Sequence, residues 1–236
     1  NAELVIRFFF PQDLDPQEKR PAVIFFFGGG WEHGTIDRFA PQSRYAASHG
    51  FIAATPEYRI RSKHQTTPFE SVEDAKDALD WVRRHSDELN IDAERIAVGG
   101  GSAGGHLAAC TAMLKDRNYD RNEVFRIPKA LVLFNPVCDT SENGYGHDRL
   151  GERKLELSPY HHITPGLPPS IIFHGTADKV VPYSNAVNFC TKMQLAGNDC
   201  TLITYEGRGH AFFSVEGIID HQDTLDRMIH FLKRVL

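Results

Sequence analysis

The sequence lacks any apolar run long enough to cross a membrane, since its longest, residues 22–27, has only the length of a strand. It also lacks a block of Lys or Arg, and its formal net charge is −5, so nucleic acid is not an expected partner. The sequence shows no internal repeat and no low-complexity segment. These absences favour an ordinary globular domain.

Cysteine is scarce, with four residues in the chain: Cys110, Cys138, Cys190 and Cys200. Four are too few for a disulfide scaffold at this length, so we expect small buried hydrophobic side chains. Cys190 and Cys200 are close in sequence, and an oxidising compartment would allow them to be bridged. The compartment stays open, because a start at Asn-Ala-Glu without Met fits either a removed export leader or a trimmed cytoplasmic sequence.

Groupings of metal ligands are missing as well. The 12 histidines include the neighbours His161 and His162, but no cluster of Cys, Asp or Glu at ligand spacing accompanies them. We therefore expect neither a metal nor another cofactor. The sequence leaves the oligomeric state open.

The sequence does contain an alternation of strand-like apolar runs and helix-like stretches, typical of a parallel sheet wrapped by helices. Hydrophobic residues make up 41% of the chain, so we expect a single α/β domain over 1–236, its mostly parallel central sheet flanked by helices on both faces. Strands are predicted at 4–10, 22–27, 51–55, 95–99, 130–134, 170–174 and 200–205, and helices at 41–49, 71–86, 103–114, 184–195 and 222–235. The irregular stretch 138–168 is predicted to cover a site, because long loops in compact domains are usually functional.

The segment Arg95–His106 carries the strongest chemical signal. Its residues 100–104, GGSAG, fit the G-x-S-x-G pattern in which a serine occupies a tight, strained turn between a strand and a helix. Because this turn needs small neighbours and lifts the hydroxyl above the sheet, Ser102 is the predicted nucleophile. The alternatives are a Gly-rich packing turn and a phosphate cradle, and the missing Gly-Lys-Ser/Thr ending disfavours the cradle.

His210 is the candidate base, because a serine hydroxyl is a poor nucleophile without one. It lies among glycines in residues 206–213, EGRGHAFF, directly after the last predicted strand. An imidazole on such a loop is free to reach the serine.

Asp178 is the candidate acid that would hold the tautomer of His210. It follows a predicted strand in residues 174–182, HGTADKVVP. The carboxyl ends of parallel strands meet at one edge of a sheet, so Ser102, Asp178 and His210 are expected to converge there. Asp139 is a rival candidate for the acid because it also follows a strand. Asp178 could alternatively be a structural carboxylate in a turn or a helix cap.

A glycine run, Gly28–Gly30, ends the central apolar strand. Backbone N–H groups unobstructed by side chains can stabilise a developing oxyanion. We predict that Gly29, Gly30 and Ala103 donate there. A flexible turn is the alternative.

These motifs, together with Glu57-Tyr58-Arg59, resemble the esterase/lipase branch of the α/β-hydrolase superfamily, which includes bacterial acetyl esterases, hormone-sensitive-lipase-like carboxylesterases and feruloyl-esterase-like enzymes. The resemblance runs from about Leu4 to the last helix, with the nucleophile, acid and base in the chain order of α/β-hydrolases. It implies an α/β-hydrolase fold and a catalytic triad, but it is weakly specific for substrate.

Two departures from the family pattern stand out. Phe27 replaces the histidine that usually precedes the three glycines and braces the oxyanion loop, so bracing must come from elsewhere. We also expect no large N-terminal helical cap like that of the hormone-sensitive-lipase-like group, since only three residues of this sequence precede Leu4. The expected site is therefore open and covered mainly by 138–168.

The expected reaction is hydrolysis of a short-chain acyl ester through an acyl-enzyme on Ser102, with a small-molecule or acetylated or feruloylated carbohydrate ester as substrate. Trp31, Tyr58 and Phe212 are candidates for the pocket wall, with plain core positions as the alternative.

Two rival functions remain. A peptidase of the prolyl-oligopeptidase type would share these motifs, although such enzymes usually carry a gating domain that this sequence does not contain. A non-catalytic binding module of the same superfamily would typically have lost a triad residue, and all three stand here.

Overall fold

The computed structural model describes residues 3–15, 17–114, 127–214 and 219–236. Within these ranges seven strands form one sheet: β1 (Ile6–Phe9), β2 (Arg20–Phe26), β3 (Ile52–Pro56), β4 (Ile91–Gly101), β5 (Ala130–Phe134), β6 (Ser170–Gly175) and β7 (Cys200–Tyr205). The α-helices are α1 (Ala40–Ala47), α2 (Arg61–His64), α3 (Pro68–Arg84), α4 (Ala103–Met113), α5 (His147–Leu150), α6 (Tyr183–Leu195) and α7 (Ile219–Val235). Short 3₁₀ turns cover Ile36–Phe39, Gly151–Arg153, Pro159–His162 and Phe212–Ser214.

The sheet has the strand order β1-β3-β2-β4-β5-β6-β7, and only β1 runs antiparallel to its neighbour. The chain moves one way from β2 to β3 and then reverses to reach β4. Right-handed crossovers therefore place α1 on one face and α3, α4 and α6 on the other, and α7 packs beside α1. This confirms the predicted mostly parallel α/β-hydrolase sheet with helices on both faces.

The reversal of strand order positions the site. In open α/β sheets, ligands bind outside the carboxyl ends of the strands where the order reverses. Here those strands are β2 and β4, and they end at Gly28–Gly30 and at Ser102. The two motifs are more than 70 residues apart in sequence but lie next to each other, since Phe26 pairs with Gly100.

Burial explains why the central strands form. Every residue of β3, β5 and β6 is buried, as expected for strands covered on both faces. The buried hydrophobic side chains of the sheet and the surrounding helices belong to one core cluster. No helix in the described part of the chain is long and apolar enough to span a membrane.

Several boundaries differ from the predicted ones, and two of them have a local reason that the structure shows. Helix α3 begins at Pro68 rather than at residue 71, because Thr67 and Glu70 form a capping box that the apolar spacing does not reveal. Strand β4 begins at Ile91 rather than at residue 95, since its polar first half pairs with Arg20 across an irregularity in the ladder.

The four cysteines are buried free thiols, as expected for small core side chains. The Cys190 thiol donates to the Cys200 carbonyl at 3.3 Å, so α6 and β7 pack closely at this point. Burial raises the pKa of the Cys110 thiol, which makes it a poor nucleophile.

Candidate active site

Three side chains form a hydrogen-bonded line at the carboxyl edge of the sheet. His210 Nε2 lies 3.0 Å from Ser102 Oγ, and His210 Nδ1 lies 2.7 Å from Asp178 Oδ2. The Asp178 carboxylate is fully buried, while the imidazole is 19% exposed. A carboxylate at Nδ1 fixes the ring proton there, so the Nε2 lone pair faces the hydroxyl. The structure thus brings the three predicted residues together.

Ser102 adopts the strained turn that its motif predicts. Its backbone has φ 55° and ψ −120°, which costs a non-glycine residue about 1–3 kcal/mol. The surrounding chain holds this conformation, since Ser102 N–H donates to the Phe134 carbonyl at 2.9 Å. Gly104 allows α4 to start against β2, because a Cβ there would lie 2.1 Å from the Phe26 carbonyl oxygen.

Asp178 accepts hydrogen bonds on both carboxylate oxygens. Oδ1 accepts from the N–H groups of Val180 and Val181 at 2.8 and 3.0 Å, and Oδ2 accepts from His210. His174 Nε2 lies 3.2 Å from Oδ2 on the buried side. Burial alone would raise the pKa of Asp178, but the hydrogen bonds from His174, His210 and Val180 outweigh it and hold this pKa well below its usual range.

Asp139, the rival acid, occupies a different environment. Its Oδ1 accepts from Ser141 N–H at 2.8 Å and from Ser158 Oγ at 3.2 Å, and lies 3.8 Å from His161 Nδ1. These contacts tie together the two ends of a loop. Within the described residues, Asp139 makes no hydrogen bond or ion pair with His210.

The glycine run after β2 lies beside Ser102, and both line the same cavity. Gly29 and Gly30 have φ values of 135° and 63°, which favour glycine. The described residues supply no hydrogen-bond acceptor for the N–H groups of Gly29, Gly30 or Ala103. Ala103 is the first residue of α4, where N–H groups are open and the helix dipole favours negative charge.

Arg38 and a tight turn orient the first two peptides of this loop. Arg38 donates to the Gly28 carbonyl at 3.0 Å, and the N–H groups of Glu32 and His33 donate to the Gly29 carbonyl at 3.1 and 3.0 Å. In a planar trans peptide the C=O and the following N–H point in opposite directions. Fixing these two carbonyls therefore fixes the N–H directions of Gly29 and Gly30.

Two further donors hold the flanking carbonyls. The Tyr58 hydroxyl donates to the Phe27 carbonyl at 2.7 Å while its ring stacks on Phe27 at 4.2 Å between centroids. The Arg149 guanidinium donates to the Gly30 carbonyl. The loop with phenylalanine in place of the family's histidine is thus braced by an arginine, a tyrosine and a residue of the 138–168 segment.

We predict that Arg38→Ala lowers kcat by about tenfold, which is less than the 10²–10³ expected from outright loss of an oxyanion donor. The reason is that the Gly28–Gly29 peptide becomes free to rotate. Steady-state kinetics with a nitrophenyl ester measure the effect, and Arg44→Ala, at an exposed arginine of α1, is the matched control. A kcat equal to wild type in Arg38→Ala would show that the turn orients the glycine N–H groups without Arg38.

A cavity of about 630 Å³ opens over Ser102 and His210. Its wall combines the glycine loop with apolar and polar side chains: Gly28, Gly29, Gly30, Asp37, Arg38, Phe39, Pro41, Gly101, Asn135, Tyr145, Val180, Ala211, Phe213 and Ser214. Tyr145 is the contribution of the 138–168 segment. Elsewhere that segment contains the short helical turns His147–Leu150, Gly151–Arg153 and Pro159–His162.

The structure places Trp31, Tyr58 and Phe212 in the core, which corrects the expectation that they line the cavity. Each is at most 5% exposed. Trp31 points its Nε1 at His106, and Phe212 packs on Tyr205 at 4.6 Å between centroids. The 3₁₀ turn at this point directs the next residue, Phe213, into the cavity instead.

His106, at the end of the GGGSAGGH motif, links three parts of the site. Its Nδ1 accepts from Trp31 at 3.3 Å, and its Nε2 donates to the Leu157 carbonyl at 2.7 Å. Burial lowers the pKa of His106 to about 4, so the ring stays neutral and can keep both bonds. It therefore fastens α4 to the glycine loop and to the 138–168 segment.

Sequence reasoning missed the polar cavity residues Arg38, Asn135 and Tyr145. Asn135 follows directly after β5, as Asp178 follows β6, and this position was the available signal. Arg38 lies in a short 3₁₀ turn and Tyr145 in a loop, and neither has a repeating spacing pattern that marks a side chain facing a site.

A second cavity, of about 870 Å³, lies at the amino ends of the strands, near Ile96, Lys129 and Asp199. Its described lining contains no serine, cysteine or histidine. It therefore offers no nucleophile and base pair, and the smaller cavity over Ser102 is the candidate active site.

Comparison with known families and curated proteins identifies similar sequences. The BD-FAE family profile matches residues 9–142. Esterase LipC of Mycobacterium tuberculosis is 28% identical over 86% of this chain and 55% of its own length. The chain thus spans about half the length of this curated relative.

Among solved structures, that of Thermogutta terrifontis esterase 2 phosphoramylated by tabun is similar to the whole chain. The sequence identity is 42% and the TM-score 0.93, with 100% of this chain and 90% of that one covered. The butyrate-bound structure of esterase 2 from the same organism is 41% identical with a TM-score of 0.91, at the same coverage.

Proposed function

This chain belongs to the BD-FAE family of α/β-hydrolase esterases, and we propose that it is a serine carboxylic ester hydrolase whose nucleophile is Ser102. The observation that carries the proposal is the line of hydrogen bonds from Ser102 through His210 to Asp178, at the floor of an open cavity. Nucleophile, base and orienting acid in hydrogen-bond contact are the arrangement that acyl transfer requires.

In the proposed acylation step, His210 Nε2 takes the proton of Ser102 Oγ as Oγ attacks the ester carbonyl carbon. Asp178, held ionised by its hydrogen bonds, orients the ring and stabilises its positive form. The N–H groups of Gly29, Gly30 and Ala103 are proposed to hold the oxyanion. The alkoxide then leaves with the proton from His210, and the acyl group remains on Oγ.

In the proposed deacylation step, a water molecule gives its proton to His210 and attacks the acyl carbon. The tetrahedral intermediate uses the same N–H donors, and its collapse returns the proton to Ser102 Oγ and releases the acid. In this scheme the chain's own residues act as nucleophile, base and oxyanion donors, and water is the second nucleophile.

The proposed substrates are short-chain acyl esters. Acetylated carbohydrates would test the alcohol half of the ester, and feruloylated carbohydrates would test the acyl half. Thermogutta terrifontis esterase 2 is described in a butyrate-bound form, and its similarity to this chain supports a short acyl group. The open cavity mouth suits an alcohol half as bulky as a sugar.

Acyl length gives the next prediction: kcat/KM is expected to be highest at C2 or C4 among C2, C4, C6 and C8 nitrophenyl esters. Each methylene that is buried gains about 0.8 kcal/mol, so a protein with a long apolar groove would improve towards C8. The wall over Ser102 instead mixes Arg38, Asp37 and Asn135 with its aromatic side chains. A maximum at C8 would contradict the short-acyl proposal and leave the serine mechanism untouched.

A substrate screen tests the proposed activity as a whole. It compares acetyl, butyryl, octanoyl and feruloyl esters, acetylated xylan and a proline-containing peptide. Turnover of at least one ester that disappears in Ser102→Ala is the expected result. Cleavage of the peptide with none of the esters would replace the proposal by a peptidase of the prolyl-oligopeptidase type.

A further inference from the structure

Asn135 lies at the end of strand β5, next to the candidate base His210. It follows the last residue of β5, its side chain is buried, and it lines the cavity over Ser102. Its backbone has φ 34°, and its N–H donates to the Phe173 carbonyl at 2.7 Å. Asparagine tolerates this left-handed conformation better than most residues do.

The Asn135 amide contacts the His210 loop at two points. Its Oδ1 accepts from the Ala211 N–H at 3.0 Å, and its Nδ2 lies 3.5 Å from His210 Nε2. Because an N–H group needs an oxygen as acceptor, the Ala211 contact settles the orientation of the amide. The NH₂ group must therefore face the imidazole.

Ala211 is where the loop needs an anchor. It has φ 61°, an unfavourable conformation for alanine, and it is bonded directly to His210. A strained peptide beside a catalytic base persists only when neighbouring groups hold it. In the described residues, the Asn135 oxygen is the acceptor for this peptide's N–H.

We propose that Asn135 is a positioning residue that keeps the His210 imidazole aligned with Ser102, by anchoring the Ala211 peptide with Oδ1 and by presenting Nδ2–H to Nε2. This proposal rests on the proposed esterase mechanism. In the resting protein the Ser102 hydroxyl, at 3.0 Å, is the closer donor to Nε2. Once Oγ carries the acyl group it has no proton to donate, and the amide is the donor that holds the ring until water enters.

Asn135→Gly tests the anchor without adding backbone strain, because glycine adopts a positive φ freely. We expect kcat to fall by about tenfold or more with KM within about twofold, since the ring is misaligned while the other side chains of the cavity wall are kept. Asn143→Ala, an exposed asparagine on the neighbouring loop, is the control. Wild-type kcat in Asn135→Gly, with the protein folded, would overturn the anchor.

Asn135→Asp tests the contact with the ring. One carboxylate oxygen can still accept from Ala211 N–H, while the other faces Nε2 and stabilises the imidazolium. The acid limb of the kcat/KM profile is then expected to move to higher pH by about one unit or more, as for an opposite charge at this range. Among the described residues, the other charged or titratable groups near His210 are Asp178 at Nδ1 with His174 behind it, and Arg208 on the same loop, paired to Asp220 of α7. Asp37 and Arg38 line the same cavity.

A measurement independent of turnover separates the two proposals. In the Ser102→Ala background, the titration of His210 is followed by NMR with and without Asn135→Asp, and the signal is assigned by its loss in His210→Gln. An upward shift of the titration midpoint supports the contact even if no ester is hydrolysed. An unmoved midpoint contradicts it even if wild-type protein is a fast esterase.

Discussion

Ser102→Ala is expected to lower kcat by about 10⁶-fold while leaving the fold intact, as removal of the nucleophile does in other serine hydrolases. The methyl group that replaces the hydroxymethyl cannot attack the ester. Only the N–H donors of the glycine loop and the binding of substrate then accelerate the reaction. Steady-state kinetics with a short-chain nitrophenyl ester measure the loss.

The control for this experiment is Ser48→Ala, at an exposed serine whose hydroxyl, within the described residues, bonds to its own helix and to His49. It should retain wild-type kinetics. Circular dichroism and thermal unfolding check that both variants are folded. If folded Ser102→Ala kept more than a tenth of the wild-type rate, a barrier change of only about 1.4 kcal/mol, another residue would be the nucleophile.

Asp178→Asn is expected to lower kcat by about 10⁴-fold, because an amide in place of the carboxylate favours the wrong tautomer of His210. The amide also fails to stabilise the imidazolium that forms when His210 takes the serine proton. The measurement is kcat for the folded variant at neutral pH, where Asp178 is ionised in the wild-type protein since its pKa is held low.

Asp139→Asn is the matched control, since both aspartates are 8% exposed and both follow a strand of the sheet. Its hydrogen bonds from Ser141 and Ser158 both end on Oδ1, and asparagine keeps an oxygen acceptor there, so turnover should change much less than in Asp178→Asn. A larger loss of kcat in Asp139→Asn than in Asp178→Asn, with both proteins folded, would reverse the assignment of the acid.

The parts of the site that the sequence predicts are those fixed by local patterns. Ser102 is marked by glycines on both sides, because a tight turn admits no bulk there. The strand before it and the helix after it are marked by apolar runs, and the structure has β4 and α4 at those positions. Neighbouring parallel strands then bring Asp178 and His210 to the same edge of the sheet.

The parts of the site that the sequence does not predict depend on the direction in which a side chain points and on contacts between residues far apart in sequence. Phe212 and Phe213 are adjacent aromatic residues, and a single 3₁₀ turn decides that the second one faces the cavity. Arg149 reaches the Gly30 carbonyl across 119 residues of sequence, and no spacing rule reports such a pair. The bracing of the glycine loop was therefore expected, but its donors were not.

Covalent labelling tests most directly whether Ser102 is an activated nucleophile. Thermogutta terrifontis esterase 2 is described as phosphorylated by paraoxon, so paraoxon is a suitable probe. After incubation, peptide mass spectrometry should find one diethylphosphoryl group, on Ser102, and none in Ser102→Ala. An unlabelled Ser102 in folded protein, or a label on a different residue, would contradict the account.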